Sequence, residues 1–126
     1  MKKPTILLIE DNEFNMILFR DLLHMEGFTV VEAYDAEVGI QRARETSPDV
    51  ILMDIQLPGM DGLTATRIIQ KDPVLKQIPV VALTAYAMET DKKEAIAAGC
   101  IGFIAKPVDT RSFVKSVSNF IPDHTN

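Results

Sequence analysis

The amino-acid sequence predicts an α/β protein, a parallel sheet between two layers of helices, and three observations carry that expectation. First, five apolar runs of strand length recur, at residues 5–9, 28–31, 50–53, 80–83 and 101–105. They are continuous, whereas a strand with one wet face would alternate, so both faces of each strand are expected to be covered. Second, the stretches between these runs carry apolar residues at helical spacing. Third, 126 residues with 47% hydrophobic and 25% charged side chains suffice for one core of ordinary size, and exclude both a disordered chain and a fibrous repeat.

After the first strand, residues 13–26 place Phe14, Leu18, Leu22 and Met25 on one stripe of a helix that ends at Gly27. The second helix, 35–46, opens on Asp35 as N-cap, carries Val38, Ile40 and Ala43 inward, and stops before Pro48. A third, 62–70, turns Leu63, Thr66, Ile68 and Ile69 to its apolar side and is ended by Asp72-Pro73. The fourth covers 88–98 and closes at Gly99, and the fifth covers 109–121, where Phe113, Val117 and Phe120 recur at helical spacing before a short polar tail. Five βα units with no internal repeat and no linker make one domain over 1–126, with no output domain expected. Right-handed crossovers then favour a doubly wound, flavodoxin-like (βα)5 sandwich with strand order 2-1-3-4-5. In such a sheet, ligands bind beyond the carboxyl ends of the strands, at the switch point beside strand one.

Charge and cysteine usage narrow the function. Thirteen Lys and Arg against eighteen Asp and Glu give a formal net charge of −5, the wrong sign for a nucleic-acid backbone as partner. A single cysteine, Cys100, makes no intramolecular disulfide, and Met1-Lys2-Lys3-Pro4 followed by a short apolar run is neither a signal peptide nor a membrane span. A cytoplasmic protein with no membrane or nucleic-acid partner is expected.

The strand ends carry the chemistry. Glu10 and Asp11 follow strand one, Asp54 follows strand three, Thr84 ends strand four and Lys106 follows strand five, and the fold points all of them at one cleft. Three carboxylates that close repel one another unless a cation lies among them, and an all-oxygen donor set favours a hard divalent ion, most simply Mg²⁺. A lysine and a threonine hydroxyl facing them can hold phosphoryl oxygens. A carboxylate nucleophile beside such an ion is one route to an aspartyl phosphate. Each residue also has a plainer reading: Glu10-Asp11-Asn12 as a cap for helix one, Asp54 as a turn residue before Pro58-Gly59, Thr84 as a cap for helix four. Their conjunction at four strand ends favours the chemical one. His24 and His124 read as solvated, Met88 as partner surface or core filler, and Cys100 as a small packed residue.

At these residues the sequence resembles the receiver domains of two-component response regulators. The matching segments are 6–12 (Ile-Leu-Leu-Ile-Glu-Asp-Asn), 49–62 around Asp54-Ile55-Gln56-Leu57-Pro58, 78–85 up to Thr84-Ala85, and Gly102-Phe103-Ile104-Ala105-Lys106-Pro107. Glu10-Asp11-Asn12, Asn15 and the run after Asp54 look most like stand-alone division-control regulators of the DivK type, and like receivers carried by hybrid histidine kinases. The resemblance implies that Asp54 is the phosphoacceptor. The donor would be phosphohistidine on a sensor or hybrid histidine kinase or on a histidine phosphotransfer protein. It implies Mg²⁺, with Mn²⁺ able to substitute, held by Asp11, Asp54 and the backbone carbonyl of Gln56, with Glu10 acting directly or through water. Thr84 and Lys106 would hold the phosphoryl oxygens, and Lys106-Pro107 would be a cis peptide. Thr84 would pair with Phe103 as a switch that alters the face of helix four, strand five and helix five. Gln56 and Tyr86 would border the path of attacking water, Tyr86 shielding the acyl phosphate.

The resulting expectation is a monomeric signalling protein, not an enzyme acting on external substrates, that binds a downstream kinase or regulator in trans, in cell division or cell-cycle control. A phosphotransfer intermediate, an isolated hybrid-kinase receiver and a pseudo-receiver remain alternatives. A flavin-binding protein is disfavoured because Glu10-Asp11-Asn12-Glu13 would repel a phosphate. A hydrolytic phosphatase is disfavoured because Gln56 stands where a second carboxylate is usually wanted.

Overall fold

The computed structural model describes residues 3–85 and 88–121. Five parallel strands, β1 (Thr5–Ile9), β2 (Thr29–Ala33), β3 (Val50–Asp54), β4 (Val80–Thr84) and β5 (Gly102–Ala105), form one sheet in the order β2-β1-β3-β4-β5. This is the expected flavodoxin-like order. The helices are α1 (Glu13–Met25), α2 (Ala36–Thr46), α3 (Gly62–Lys71), α4 (Glu89–Ala98) and α5 (Phe113–Phe120). A short 3₁₀ turn, Leu75–Gln77, follows α3 and was not foreseen. Among the described residues no helix is long and apolar enough to cross a membrane.

Side chains of successive strand residues point to opposite faces, and the sheet divides its core accordingly. Ile6, Leu8, Val50, Leu52, Val81 and Leu83 pack against α1 and α5 with Met16, Phe19, Leu23, Phe113 and Val117. Leu7, Ile9, Ile51, Met53, Val80 and Ala82 pack against α2, α3 and α4 with Ala36, Ile40, Ala43, Ala65, Ile69 and Ala95. Both faces of β3 and β4 are therefore dry, which is why their sequences are unbroken apolar runs.

Four expectations are corrected. The buried stripe of α1 is Met16, Phe19 and Leu23, while Phe14 and Met25 are 78% and 81% exposed. Apolar residues surround this helix on most sides, and the Phe19 ring, stacked on Phe113 with centroids 5.2 Å apart, fixes which side meets the sheet. β2 begins at Thr29, opposite Thr5. Phe28 is spent closing α1, its N–H donating to Leu23 O while Gly27, at φ +87°, donates to His24 O. α5 begins only at Phe113, because residues from Asp109 make a turn in which the Asp109 carboxylate accepts from Arg111 N and its carbonyl from Ser112 N. Val38 and Ile68 lie at the margins of α2 and α3, about a third exposed, their neighbours Ile40 and Ile69 taking the inward places.

Candidate functional site

The polar residues at the carboxyl edge of the sheet are positioned by the strands and freed from capping by their neighbours. Glu10 extends β1 by one residue, its N–H donating to Ala33 O, and its side chain is fully buried. Asn12, not Glu10 or Asp11, caps α1: its side chain accepts from Asn15 N at 2.9 Å, and its own N–H donates to Glu10 Oε2 at 3.1 Å. Asp61 caps α3 through Thr64 N at 2.8 Å, so that duty does not fall on Asp54. Asp54 closes a tight turn, Oδ1 accepting from Gln56 N at 2.9 Å, and is 4% exposed. Thr84 is 6% exposed at the end of β4, and α4 starts after Met88, so Thr84 is not its cap.

Lys106 joins the set from β5. The peptide between Lys106 and Pro107 is cis. The Lys106 ammonium lies 3.0 Å from Asp54 Oδ2 and 2.8 Å from Glu10 Oε1. Burial alone would push this ammonium down, but its bonds to Glu10 and Asp54 outweigh burial and raise its pKa. Burial raises the Glu10 carboxyl, and the Asp54 charge adds to that, while Lys106 and Asn12 N–H pull it partly back. Glu10 Oε1 touches Lys106 at ion-pair distance, yet it is buried without an aligned hydrogen bond among the described residues.

Glu10, Asp11 and Asp54 each offer an oxygen within 4.8 Å of the others. Asp11 is the exposed member, at the open side of the cluster. One lysine against three carboxylates leaves a formal excess of two negative charges, and Glu10 Oε1 has no aligned hydrogen bond among the described residues. That donor set fits a hard divalent cation and gives no soft ligand that would favour zinc or copper. Gly62 lets the loop after β3 close on itself: a Cβ there would stand 2.3 Å from Asp54 O and 2.9 Å from Ile55 Cα.

Asp54, Glu10 and Asp11 are thus grouped together, and Lys106 touches Asp54 and Glu10. Thr84, Gln56 and Phe103 border an adjoining cavity of about 110 Å³ together with Ile55, Leu63 and Ala82. Phe103, opposite Ala82 in the ladder, is half-buried. Tyr86 lies outside the described residues, as does His124. Cys100 is buried, its thiol 3.9 Å from Thr66 Oγ1, and burial pushes its pKa up. His24 is exposed. Two residues at the site were not singled out from the sequence. Gly62 could have been, since it directly follows the cap Asp61. Lys92, whose ammonium stands 4.8 Å from the Phe103 ring centroid, could not, because the pairing joins α4 to β5 across the fold.

The response regulator receiver domain family matches residues 6–118. The polar-differentiation response regulators DivK of Brucella anthropi and Brucella ovis are each 39% identical over 119 residues, covering 94% of this chain and 97% of theirs. Among solved structures, the receiver domain of the sensor histidine kinase PA1611 of Pseudomonas aeruginosa, described with a magnesium ion coordinated in its active-site cleft, is 31% identical. It superposes with TM-score 0.86 over 94% of this chain and 98% of that one. The chemotaxis protein CheY4 of Vibrio cholerae, 22% identical with TM-score 0.90 over 95% of this chain and all of its own, shares the fold. With the family matched over residues 6–118 and relatives similar along nearly their whole length, this chain belongs to the response regulator receiver domains of two-component systems.

Proposed function

We propose that Asp54 accepts a phosphoryl group from phosphohistidine on a sensor or hybrid histidine kinase or a histidine phosphotransfer protein, and that the change alters which partners the protein binds. The observation that carries this reading is the buried Asp54 carboxylate, touched by Lys106 and grouped with Glu10 and Asp11. An oxygen of Asp54 attacks phosphorus, the phosphorus–nitrogen bond breaks, and its electron pair returns to the donor imidazole. The products are an acyl phosphate and a histidine. Glu10, Asp11, Asp54 and the Gln56 carbonyl would hold Mg²⁺, or Mn²⁺ in its place. Bound there, the ion supplies positive charge against the phosphoryl oxygens. Lys106 then exchanges a carboxylate oxygen for a phosphoryl oxygen, and the Thr84 hydroxyl donates to another.

Thr84 and Phe103 border one cavity, so a shift of the hydroxyl toward the phosphoryl group changes the space open to the ring. The face of α4, β5 and α5 carries that change to partners bound in trans. Gln56, which borders the cavity beside Thr84, would meet hydrolytic water on its way to the acyl phosphate. The likeness to polar-differentiation response regulators supports a role in polar differentiation, and the reading extends to division or cell-cycle control by a monomer in the cytoplasm. Intact-protein mass spectrometry after incubation with Mg²⁺ and a small phosphodonor tests the central step. A single phosphoryl adduct is expected on the wild type and none on Asp54→Asn or without Mg²⁺; a folded wild type that takes no adduct overturns the reading.

A further inference from the structure

The cavity beside Thr84 has a charged residue at its rim that the phosphoryl step leaves unused. Lys92, in α4, places its ammonium 4.8 Å from the centroid of the Phe103 ring. The lysine side chain is only 31% exposed, and its ammonium lies 3.9 Å from Glu89 Oε1 one turn earlier in the helix. Asp91 and Glu94 border the same cavity, but a carboxylate is repelled by the electron-rich face of an aromatic ring, whereas an ammonium is attracted to it. Of the three charged α4 residues lining the cavity, Lys92 alone can hold the ring. Ala82, Ala95 and Leu63 also line this cavity of about 110 Å³, so open volume borders the ring.

We propose that Lys92 is a positioning residue for Phe103, a latch whose ammonium keeps the ring at the cavity rim and ties α4 to β5. The inference deepens the reading above, in which Phe103 answers Thr84. For the ring to enter the cavity it leaves the cation, which among the described residues then keeps Glu89 as its ion-pair partner. The attraction at a partly exposed site biases the ring between its two positions about two- to five-fold. A latch of that strength sets the resting position without locking it against a phosphoryl group.

The test uses the unphosphorylated protein. The populations of the two ring positions are read by NMR relaxation dispersion at the Phe103 ring carbons, with ring-to-methyl contacts to Ala82 and Ala95 identifying the inner one. Lys92→Met keeps the unbranched stem, removes the charge and retains helix propensity; Lys92→Arg keeps a cation; Lys92→Gln is a second neutral variant should the first melt early. The expected result is a two- to five-fold rise in the inner population in the neutral variants and none in Lys92→Arg. Equal populations in wild type and neutral variants, a single ring position in all of them, or Lys92→Arg behaving as Lys92→Met would each overturn the latch. Because no donor is needed, a protein that shows the shift but takes no phosphoryl adduct sinks the function proposed above and keeps the latch. An adduct without the shift does the reverse.

Discussion

The two faces of the sheet are filled by different means. On the α1 and α5 side, large side chains do the work: Phe19 and Phe113 stack, and Met16, Leu23 and Val117 are fully buried beside them. On the α2, α3 and α4 side, small residues dominate the helices, with Ala36, Gly39, Ala43, Ala65 and Ala95 at the contacts and Cys100 just after α4. Gly39 rides so close to β1 that a Cβ would stand 2.3 Å from Ile9 Cδ1. The cavity bordered by Ala82, Ala95 and Phe103 lies on this second side. One layer is filled by large interlocking side chains, and the other leaves open volume beside Phe103.

The largest effect that would test this contrast is Phe113→Ala. Removing one of two stacked, buried rings should cost about 3–5 kcal/mol, read by urea denaturation; a loss under about 1 kcal/mol would mean that large side chains do not carry the packing of that face. Ala82→Val probes the other face. Extra methyl groups in a filled core cost about 1–3 kcal/mol, so at a site bordering open volume the expected cost is under about 1 kcal/mol, and a larger one would erase the distinction.

Polar ties replace bulk on the small-residue side. Asp35 and Asp61 cap α2 and α3, and Arg44 reaches across from α2 to Asp72 at 2.7 Å. Asp61→Ala should lose about 1 kcal/mol of stability at pH 7. The bond from Thr64 N–H holds the Asp61 carboxyl below its ordinary range in the fold. Its contribution is therefore present above the unfolded-state pKa of about 3.9 and is lost as pH falls through the lower folded value. The gap between wild type and Asp61→Ala should narrow between pH 5 and the acid limit of folding; a gap constant with pH would show that the charge is immaterial. Arg44→Ala is the smallest, at most about 1 kcal/mol and weaker in high salt, since the pair is exposed.

Much of this was legible from residue order alone, for identifiable reasons. Strands buried on both faces leave a signal that needs no tertiary knowledge, and polar residues directly after such runs can only lie at a sheet edge. Glu10, Asp11, Asp54 and Lys106 were placed together on that ground. The face of α1 was not legible, because Phe14, Ile17, Leu18 and Leu22 compete with Met16, Phe19 and Leu23 for the inward direction, and only the Phe113 ring on a distant helix decides. The late start of α5 was hidden for a related reason: Asp109 is a good cap by type, but here it serves a turn. The Lys92 contact with Phe103 depends on how α4 settles beside β5, which no local pattern encodes.

Cys100 turns the small-residue side of the molecule into its own chemical clock. Its thiol is covered by the α3 and α4 layer, next to Thr66, and is held protonated by burial, so an alkylating reagent reaches a reactive thiolate only when that layer opens. The labelling rate at Cys100 thus counts openings of one face of a folded protein, molecule by molecule, with no probe added to the sequence.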